Sequence, residues 1–514
     1  MLIQVSSTQL RIVPEPTDEV AKLLDDRFSF KHPGAFFIKK SHKERVHPVP
    51  VPGCYMCGWN GRVSFYKRNT LAAGFLSDLI ALLDEHGVLY EIKDNRVIPP
   101  RQFDWNTSFV LRTYQQETVD AILSRRQGIV EAACGAGKTI MAVEAIAQVG
   151  VPAIIVVPTK IILSQFEAAI KNNSDIPLGI IQGKTWEEEP VVVATMGALS
   201  HKSKRARAKD FLATRDFIVV DEYQKSAAKT WFEMINHCPA YYRIGQTATP
   251  FRGSELEDQY LYANTGPIIA SVKTDELQDS GYLAQADVRF IRCGLNPPRL
   301  IFGEYTDEDG EKQVGNHKPH WTDLYRECIV RNEERNNMVA DIANHYVTQG
   351  QKVLIIVSWT EQFEQIEQYL RDTTPIFLSG KDSRSVSEKK INEFAEQSSG
   401  IIVGSPVLDL GCDIPALEVV INSAAGEAEG RTQQRMGRGL RLSPNKTDVR
   451  IYDFLDNDTH TKGKHYFSKH AHARVKTFEG LGQTVTIYDT VQEALEANNG
   501  WRRMQYGVDA SIQN

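Results

Sequence analysis

Residues 128–139 read GIVEAACGAGKT and lead into a stretch whose apolar residues have helical spacing. This order of strand, loop and helix is the context that a phosphate-binding loop requires. Gly135 and Gly137 allow backbone N–H groups to close around phosphate oxygens, and the start of the helix adds a partial positive charge. The stretch therefore predicts a nucleotide pocket in which Lys138 contacts the β- and γ-phosphates and Thr139 ligates Mg²⁺.

Short apolar runs rich in β-branched residues alternate with helix-like stretches around that loop and again later in the chain. The first series comprises residues 128–132, 153–157, 191–194, 217–220 and 242–244. The second series comprises residues 353–357, 375–378, 400–403, 419–421 and 449–454. Strands that alternate with helices in this way form parallel sheets covered by helices, so we expect two α/β sheets in tandem.

Two acids end the fourth run of the first series, which reads FIVVDEYQ over residues 217–224. A strand of this kind delivers its final residues to the carboxyl edge of the sheet, where α/β proteins bind ligands. We expect Asp221 to hold Mg²⁺ and Glu222 to polarise the water that attacks the γ-phosphate. A solvated acidic turn is the alternative, and the phosphate loop upstream favours the catalytic interpretation.

Length and composition limit the class of protein. A chain of 514 residues exceeds the size at which single cores stop growing, about 250–300 residues, so several domains are expected. The net charge of −6 indicates no generally basic surface, although a local cleft could still bind nucleic acid. The chain shows neither a membrane-spanning apolar run nor a signal-like N-terminus, and seven scattered cysteines are typical of reduced thiols. We therefore expect a cytoplasmic protein.

Further motifs follow in a fixed order, and the ordered set resembles the superfamily 2 helicases of the DExH type over about residues 111–441. The motifs are LRTYQ (111–115), VPTKIILSQ (157–165), ATMGAL (194–199), TATP (247–250), GSPVLDLGCDIPALEVVI (404–421) and QQRMGRGLR (433–441). The resemblance implies two tandem RecA-like parallel-sheet domains that hydrolyse ATP with Mg²⁺.

The resemblance also implies roles for individual residues. ATP contacts fall on Arg112, Gln115, Cys134, Gly135, Ala136, Gly137, Lys138, Thr139, Gly411 and Asp413. Catalytic roles fall on Glu222, Gln224, Gln434, Arg438 and Arg441. Nucleic-acid contacts fall on Pro158, Thr159, Lys160, Thr195, Met196 and Ser405, and coupling of hydrolysis to strand binding falls on Thr247, Ala248 and Thr249.

The pocket is expected to draw on both sheets. Arg438 and Arg441 from the second sheet can neutralise transition-state charge at the γ-phosphate, so hydrolysis would require domain closure. Two positions depart from the family pattern. Ala132 stands where a strict phosphate loop has Gly, and Gln224 stands where this branch commonly has His. Because an amide both donates and accepts, we expect Gln224 to link the γ-phosphate side to TATP.

The N-terminal region sharpens the resemblance. CGWNGRVSFYKRNTLAAGFLSDLIALL (57–83) is similar to the small leading domain of UvsW-type phage recombination helicases, and GYLA (281–284) resembles the XPB-like branch. We expect a small N-terminal α+β domain that binds DNA, the two RecA-like domains and a short helical C-terminal extension. The bounds are residues 1–105, 106–284, 285–456 and 457–514.

The resulting hypothesis is an ATP-dependent DNA helicase or translocase that unwinds, anneals and migrates branched DNA in recombination, repair or replication. Expected partners are single-stranded, forked or branched DNA and single-strand-binding or recombination proteins, with a monomeric chain in a bacterial or phage-infected host cytoplasm. An RNA-remodelling ATPase, the motor subunit of a restriction or defence complex, and a binding module with an inactive ATPase remain alternatives.

Three local patterns stay open. Cys54 and Cys57 supply two of the four ligands of a structural zinc, and with no second cysteine pair or nearby histidine pair expected to complete the set, we expect turn cysteines. The basic run HKSKRARAK (201–209) fits a phosphate grip or a solvated face equally well. His465, His470 and His472, with Arg474, could bind metal, contact a nucleic-acid backbone or pack.

Overall fold

The computed structural model describes residues 1–47, 54–250, 254–306, 312–379, 382, 384–404, 417–426, 440, 448–458 and 466–497. These residues divide into two compact units, the first formed by residues 1–283 and the second beginning at Ala284. Along the described ranges, no helix combines the length and apolar character needed to cross a bilayer.

The first unit begins with a small α+β region. Its strands are β1 (Leu2–Val5), β2 (Gln9–Val13), β3 (Ser29–Lys31), β4 (Arg62–Ser64), β5 (Thr70–Ala72) and β6 (Glu91–Asp94). Its helices are α1 (Asp18–Arg27), α2 (Ala35–Ser41), α3 (Tyr55–Gly58) and α4 (Leu76–Glu85), and a π-helical turn, His42–Val46, continues α2. Strands β5, β2, β1 and β6 form one sheet in that order, and β3 pairs with β4. Buried residues alternate along β1 and β2, so one face of the sheet covers the core of this region.

A mostly parallel sheet forms the rest of the first unit. Its strands are β7 (Gln127–Ala132), β8 (Ala153–Val157), β9 (Leu178–Gln182), β10 (Thr185–Trp186), β11 (Val191–Thr195), β12 (Phe217–Asp221), β13 (Tyr242–Thr247) and β14 (Ile268–Val272). Its helices are α5 (Thr113–Arg125), α6 (Lys138–Val149), α7 (Lys160–Asn173), α8 (Met196–Ser200), α9 (Arg205–Leu212), α10 (Lys229–Ile235), α11 (Glu255–Thr265) and α12 (Thr274–Asp279). The strand order is β10-β9-β11-β8-β12-β13-β7-β14, with β10 alone antiparallel to its neighbour. Every residue of β8, β11 and β12 is buried, as expected for strands covered on both faces.

The N-terminal region packs against α11 of this sheet domain. The Phe65 ring lies 5.0 Å from the Tyr260 ring, and the Phe75 ring stacks on Tyr262 at 5.7 Å. Gly74 makes the closest approach, since a Cβ built there would lie 1.9 Å from the Tyr262 carbonyl oxygen. Only a glycine fits at this point without moving one of the two backbones.

The second unit holds the second parallel sheet. Its strands are β15 (Gln285–Gly294), β16 (Ile301–Thr306), β17 (Lys312–His317), β18 (Lys352–Ile356), β19 (Ile376–Leu378), β20 (Gly400–Gly404), β21 (Val419–Asn422), β22 (Asp448–Asn457) and β23 (Val485–Tyr488). Its helices are α13 (Trp321–Tyr325), α14 (Glu333–Thr348), α15 (Thr360–Glu367), α16 (Arg384–Glu396), α17 (Tyr466–Gly480) and α18 (Val491–Glu496). The order β19-β20-β18-β21-β22-β15-β23 is parallel throughout, and β16 and β17 form a separate hairpin.

Buried ion pairs hold α14 and α17 on β22. The Arg335 guanidinium donates to Asp456 at 2.9 Å, and Arg474 donates to Asp453 at 3.0 Å, with all four side chains almost fully buried. Removing one partner would leave an unpaired charge in the core, which costs about 3–5 kcal/mol. Arg474 therefore serves the fold of the second unit.

The neighbouring histidines of α17 also face their own domain. His472 Nδ1 lies 2.7 Å from the Ser468 carbonyl oxygen, and the His470 ring packs edge-on to Trp321 at 5.3 Å. Packing thus accounts for both described histidines, whereas His465 lies outside the described residues.

The prediction of two tandem parallel-sheet α/β domains with a small α+β region ahead of them is confirmed. All ten apolar runs picked out in the sequence are strands of the two sheets. The C-terminal part contributes more than helices, because β23 joins the second sheet as an edge strand beside β15.

Candidate nucleotide-binding and motor site

The carboxyl ends of β7, β13 and β12 lie side by side in the first sheet. The phosphate loop follows β7, and the acidic pair begins at the last residue of β12. Strand β13 lies between them, where Gln246 pairs in register with Asp221 on one side and with Val130 on the other. Three sequence motifs therefore lie at one edge of the sheet, because the carboxyl ends of parallel strands share the same edge.

The phosphate loop has the backbone that its sequence predicts. Gly135 and Gly137 have φ values of +86° and +87°, a left-handed conformation that favours glycine. The Lys138 ammonium donates to the carbonyl oxygens of Ala132 and Ala133 at 2.9 and 3.2 Å. Its charge thus lies along the loop, where phosphate oxygens are expected, at the N-terminus of α6.

Gln115 ties the start of α5 to this loop. Its Nε2 donates to the Ala136 carbonyl oxygen at 3.0 Å, and its Oε1 accepts from the Arg112 backbone N–H at 3.0 Å. The Tyr114 hydroxyl donates to the same Ala136 oxygen at 3.0 Å. A Cβ on Gly137 would lie 2.4 Å from Gln115 Nε2, so the close approach also requires glycine. The adenine contact expected of Gln115 stays a prediction.

Asp221 has the character of a cation ligand. Its side chain is buried, and its Oδ1 makes no hydrogen bond to any described residue. Burial and then the nearby charge of Glu222 raise the pKa of Asp221 to about 7, while the charge of Lys138 acts in the opposite sense. A buried carboxylate with one oxygen free of hydrogen bonds, beside a phosphate loop, fits the binding of Mg²⁺, with the Thr139 hydroxyl as the second expected ligand.

A chain of hydrogen bonds runs from the second acid to the TATP motif. Glu222 adopts a left-handed backbone, with φ of +50°. Gln224 Nε2 donates to Glu222 Oε2 at 2.6 Å, and Thr247 Oγ1 donates to Gln224 Oε1 at 2.6 Å. The Thr249 backbone N–H then donates to Thr247 Oγ1 at 3.0 Å. Gln224 therefore uses both ends of its amide to join the acidic box to TATP.

Sequence reasoning missed three residues of this edge. Gln246 is fully buried, and its Nε2 donates to the Lys138 carbonyl oxygen at 3.1 Å, which ties β13 to the start of α6. Tyr223 is also buried, and its hydroxyl donates to the Leu261 carbonyl oxygen at 2.7 Å. A Cβ on Gly245 would meet the Tyr223 ring at 2.3 Å. The one available signal was a glycine inside a strand, which indicates a close approach.

The residues expected to touch nucleic acid differ in accessibility. Thr159 caps α7 by accepting from the Ile162 N–H at 3.4 Å, and Lys160 is exposed. Thr195 and Met196 are buried at the junction of β11 and α8, and Met196 belongs to the core of the sheet domain. Any contact between this junction and nucleic acid would therefore involve the protein backbone and not the buried Met196 side chain.

The basic run around α9 is largely engaged within its own domain. Arg207 pairs with Glu188 at 2.7 Å and lies over the Trp186 ring, and Arg205 pairs with Glu233 at 3.0 Å. These pairs are partly exposed, so each contributes little to stability. The second-sheet site residues Ser405, Gly411, Asp413, Gln434, Arg438 and Arg441 lie outside the described residues.

A second cluster lies in the N-terminal region. His42 Nε2 is 3.5 Å from the Sγ atoms of both Cys54 and Cys57. The sequence did not predict that the fold brings a histidine from the end of α2 onto the cysteine pair.

Fold and site together define a phosphate-loop nucleotide-binding protein with two tandem α/β lobes. Residues 108–252 match the family model described as "Type III restriction enzyme, res subunit", and residues 335–443 match "Helicase conserved C-terminal domain". These two matches support a superfamily 2 helicase related to XPB-like proteins.

Among curated proteins, DNA 3'-5' helicase XPB of Kineococcus radiotolerans is 26% identical over 359 residues, which cover 68% of this chain and 60% of that protein. The chain spans no more than about two thirds of the length of the first curated relatives it matches.

One solved structure with a TM-score above 0.5 shares the fold. The ATP-dependent Type ISP restriction-modification enzyme LlaBIII bound to DNA matches with a TM-score of 0.54 and 13% identity, over 80% of this chain and 34% of that one. T4 UvsW matches over 95% of this chain and 99% of its own length, with 16% identity and a TM-score of 0.40.

Proposed function

We propose that this chain is an ATP-driven DNA helicase or translocase. The observation that carries the proposal is the hydrogen-bond chain from Glu222 through Gln224 to Thr247 and Thr249. Hydrolysis alone needs the acid and the phosphate loop. A motor also needs a connection from the acid to a second motif, so that hydrolysis and strand binding can influence each other.

Each residue of the pocket has a distinct task in this proposal. Lys138 neutralises charge on the β- and γ-phosphates, and Glu222 orients the attacking water and accepts its proton. Asp221 and Thr139 hold Mg²⁺, which neutralises phosphate charge when bound. Asp221 is buried, and the charge of Lys138 offsets only part of the cost of ionising it, so a bound cation would stabilise the carboxylate further. Cys134 and Ala136 line the phosphate loop, and Arg112 lies beside the expected adenine.

The proposal also assigns roles to residues in the second half of the chain. Arg438 and Arg441 stabilise the charge that develops on the transferring phosphoryl group, a role worth about 10³–10⁵ in rate for arginine fingers. Gln434 assists them, and Gly411 and Asp413 contact the nucleotide. All five residues lie in the region that the helicase C-terminal family model matches, which supports this assignment.

DNA contacts are proposed along the first lobe and the N-terminal region. Lys160 is exposed at the start of α7, beside the Pro158 and Thr159 turn, and can meet backbone phosphates. Helix α2 presents Phe36 and Phe37, which are 70% and 72% exposed, ahead of two lysines. Exposed aromatic rings beside lysines suit stacking on single-stranded bases and contact with phosphates. A DNA-binding surface outside the motor core supports action on forked or branched DNA.

A comparison of different nucleic acids as activators of ATP hydrolysis tests the proposal. ATP hydrolysis is measured with single-stranded DNA, duplex DNA, forked DNA and RNA, and strand displacement and branch migration are followed on synthetic forks and four-way junctions. Stimulation by DNA, strongest with forks, is expected, and Lys138→Ala should abolish it. Stimulation by RNA alone would contradict the DNA assignment. We place this activity in the cytoplasm of a bacterial or phage-infected cell, in a monomer that can act with single-strand-binding or recombination proteins.

The second candidate is the motor subunit of a restriction complex. It is favoured by one observation, the match of residues 108–252 to the res subunit of type III restriction enzymes. Co-purification of a nuclease from the native host, together with ATP-dependent cleavage by the mixture, would favour this candidate. Branch migration by the isolated chain would favour the first.

A further inference from the structure

Three potential metal ligands meet beside α2 in the N-terminal region. The ligand atoms of His42, Cys54 and Cys57 all lie within 4.8 Å of one another, and this is the one such group of three or more found among the described residues. His42 begins the π-helical turn after α2, and the cysteines bracket the first turn of α3. The three side chains come from two segments that the fold has to bring together.

Hydrogen bonding alone does not account for this convergence. Both thiol sulfurs lie 3.5 Å from the same atom, His42 Nε2. A ring nitrogen offers one lone pair or one N–H, so it serves one thiol well and not two. In a tetrahedral zinc site with Zn–S of about 2.3 Å and Zn–N of about 2.0 Å, neighbouring S and N ligands lie about 3.5 Å apart. Both observed distances therefore match the edge of such a tetrahedron.

His47 lies close to His42 and is the candidate for the fourth ligand. Its ring centroid lies 5.1 Å from that of His42, and its backbone N–H donates to the His42 carbonyl oxygen at 2.8 Å. The sequence between the two histidines is KERV, and the cysteines are separated by YM. Pairs with two residues between cysteines and about three to five between histidines are the usual spacing of Cys₂His₂ zinc sites.

We propose that His42, His47, Cys54 and Cys57 bind one Zn²⁺ ion as a structural site of the N-terminal region. The ion joins the end of α2 to the turn that precedes the Trp59 side chain. Trp59 is anchored by donating to the Arg62 carbonyl oxygen at 2.6 Å, at the start of β4. The site therefore links the end of α2, the helix with exposed aromatic residues, to α3. In a region of about one hundred residues, a bound metal can add stability that a small core does not supply.

Metal content tests the proposal directly. The full-length protein, purified with reductant and without chelator, is analysed for zinc by mass spectrometry, and we expect close to one zinc per chain. Cys54→Ser, Cys57→Ser and His42→Ala should each reduce this content at least several-fold. His86→Ala provides the matched control, since His86 is an exposed histidine of the same region at the end of α4 and should leave zinc content unchanged.

Two further measurements keep the test decisive if a variant folds poorly. Wild-type protein stripped of zinc and given Co²⁺ alone should show the visible absorption of a tetrahedral site together with a thiolate charge-transfer band. His47→Ala should keep a metal site but release zinc to a chelator faster than wild type. Wild-type protein that contains no zinc and gives no cobalt spectrum would overturn the site. Zinc release by His47→Ala at the wild-type rate would overturn the assignment of the fourth ligand.

Discussion

Thr247 Oγ1 donates to Gln224 Oε1 at 2.6 Å, and this bond joins the strand-end motif TATP to the acidic box. The other end of the Gln224 amide reaches Glu222 at 2.6 Å, so one side chain spans from the proposed catalytic acid to the proposed coupling motif. A histidine, which is usual at this position in the family, could make the same two contacts because it also carries a donor and an acceptor.

Gln224→Leu should uncouple hydrolysis from strand movement. The substitution keeps the approximate size of the side chain but removes both hydrogen bonds, so DNA should lose most of its effect on turnover. Coupling energies between sites are commonly about 1–3 kcal/mol, which predicts a loss of about tenfold in DNA stimulation with a smaller loss in basal hydrolysis.

Two further variants test whether the loss of DNA stimulation in Gln224→Leu comes from its hydrogen bonds. Gln224→His should keep most of the stimulation, and Thr247→Val should reproduce the loss. Because Gln224→Leu and Thr247→Val both break the bond between Thr247 and Gln224, their effects should not add in the double variant. Additive effects in the cycle would show that Gln224 and Thr247 act separately.

Gly245→Ala should impair hydrolysis from a position that touches no nucleotide. The new methyl would lie 2.3 Å from the buried Tyr223 ring, which is anchored to the Leu261 carbonyl oxygen. Overpacking of this kind costs about 1–3 kcal/mol, and the strain falls on the residue between Glu222 and Gln224. We expect a lower melting temperature and a lower turnover. Gly294→Ala is the control, since its methyl enters open space, and equal effects of the two substitutions would refute the packing argument.

Asp221→Asn should change how stability depends on pH in the protein free of nucleotide and Mg²⁺. The pKa of Asp221 is raised from 3.8 to about 7, so its contribution to stability is fully present below pH 3.8 and is lost as pH rises toward 7. Asparagine does not ionise. In EDTA, the melting temperature of Asp221→Asn relative to wild type should therefore rise between pH 5 and 7 and stay level above about 7.5. A difference that is constant over this range would mean that Asp221 is ionised throughout.

Gly74→Ala should loosen the N-terminal region from the first sheet domain. Its methyl would lie 1.9 Å from the Tyr262 carbonyl oxygen on α11, and backbone atoms on both sides have little room to yield. Limited proteolysis should then cut the connection after Asp94 faster, and DNA binding should weaken. Gly58→Ala, whose methyl meets nothing within 4 Å, should behave as wild type. Unchanged proteolysis of Gly74→Ala would show that this contact does not hold the region in place.

The sequence predicted the buried strands well because each is a short apolar run next to a turn signal. It did not predict β14, whose residues are partly exposed at the sheet edge, or β15, whose arginines and aspartate interrupt the apolar pattern. The sequence also did not predict the order of the strands in the sheet. That β13 lies between the phosphate loop strand and the acidic strand follows from tertiary packing, so the role of Gln246 was invisible.

The zinc candidate shows a different limit. His42 and His47 stand seven or more residues before Cys54, and a spacing rule that looks for a second pair after the cysteines passes over them. Only the fold shows that α2 turns back toward α3. The burial of Met196 was also visible only in the fold. The motif predicts a nucleic-acid contact at this residue, whereas its side chain packs in the core of the sheet domain.

The central claim is that Glu222 drives a hydrolysis step that responds to DNA. Steady-state ATP hydrolysis by wild type and Glu222→Gln, with and without forked DNA, tests it most directly, provided that ATP and DNA binding are measured on the same samples. We predict that DNA raises wild-type turnover and that Glu222→Gln loses about 10²–10⁴ in rate while both ligands still bind. Wild-type turnover that ignores DNA, or Glu222→Gln turnover equal to wild type, would contradict the account.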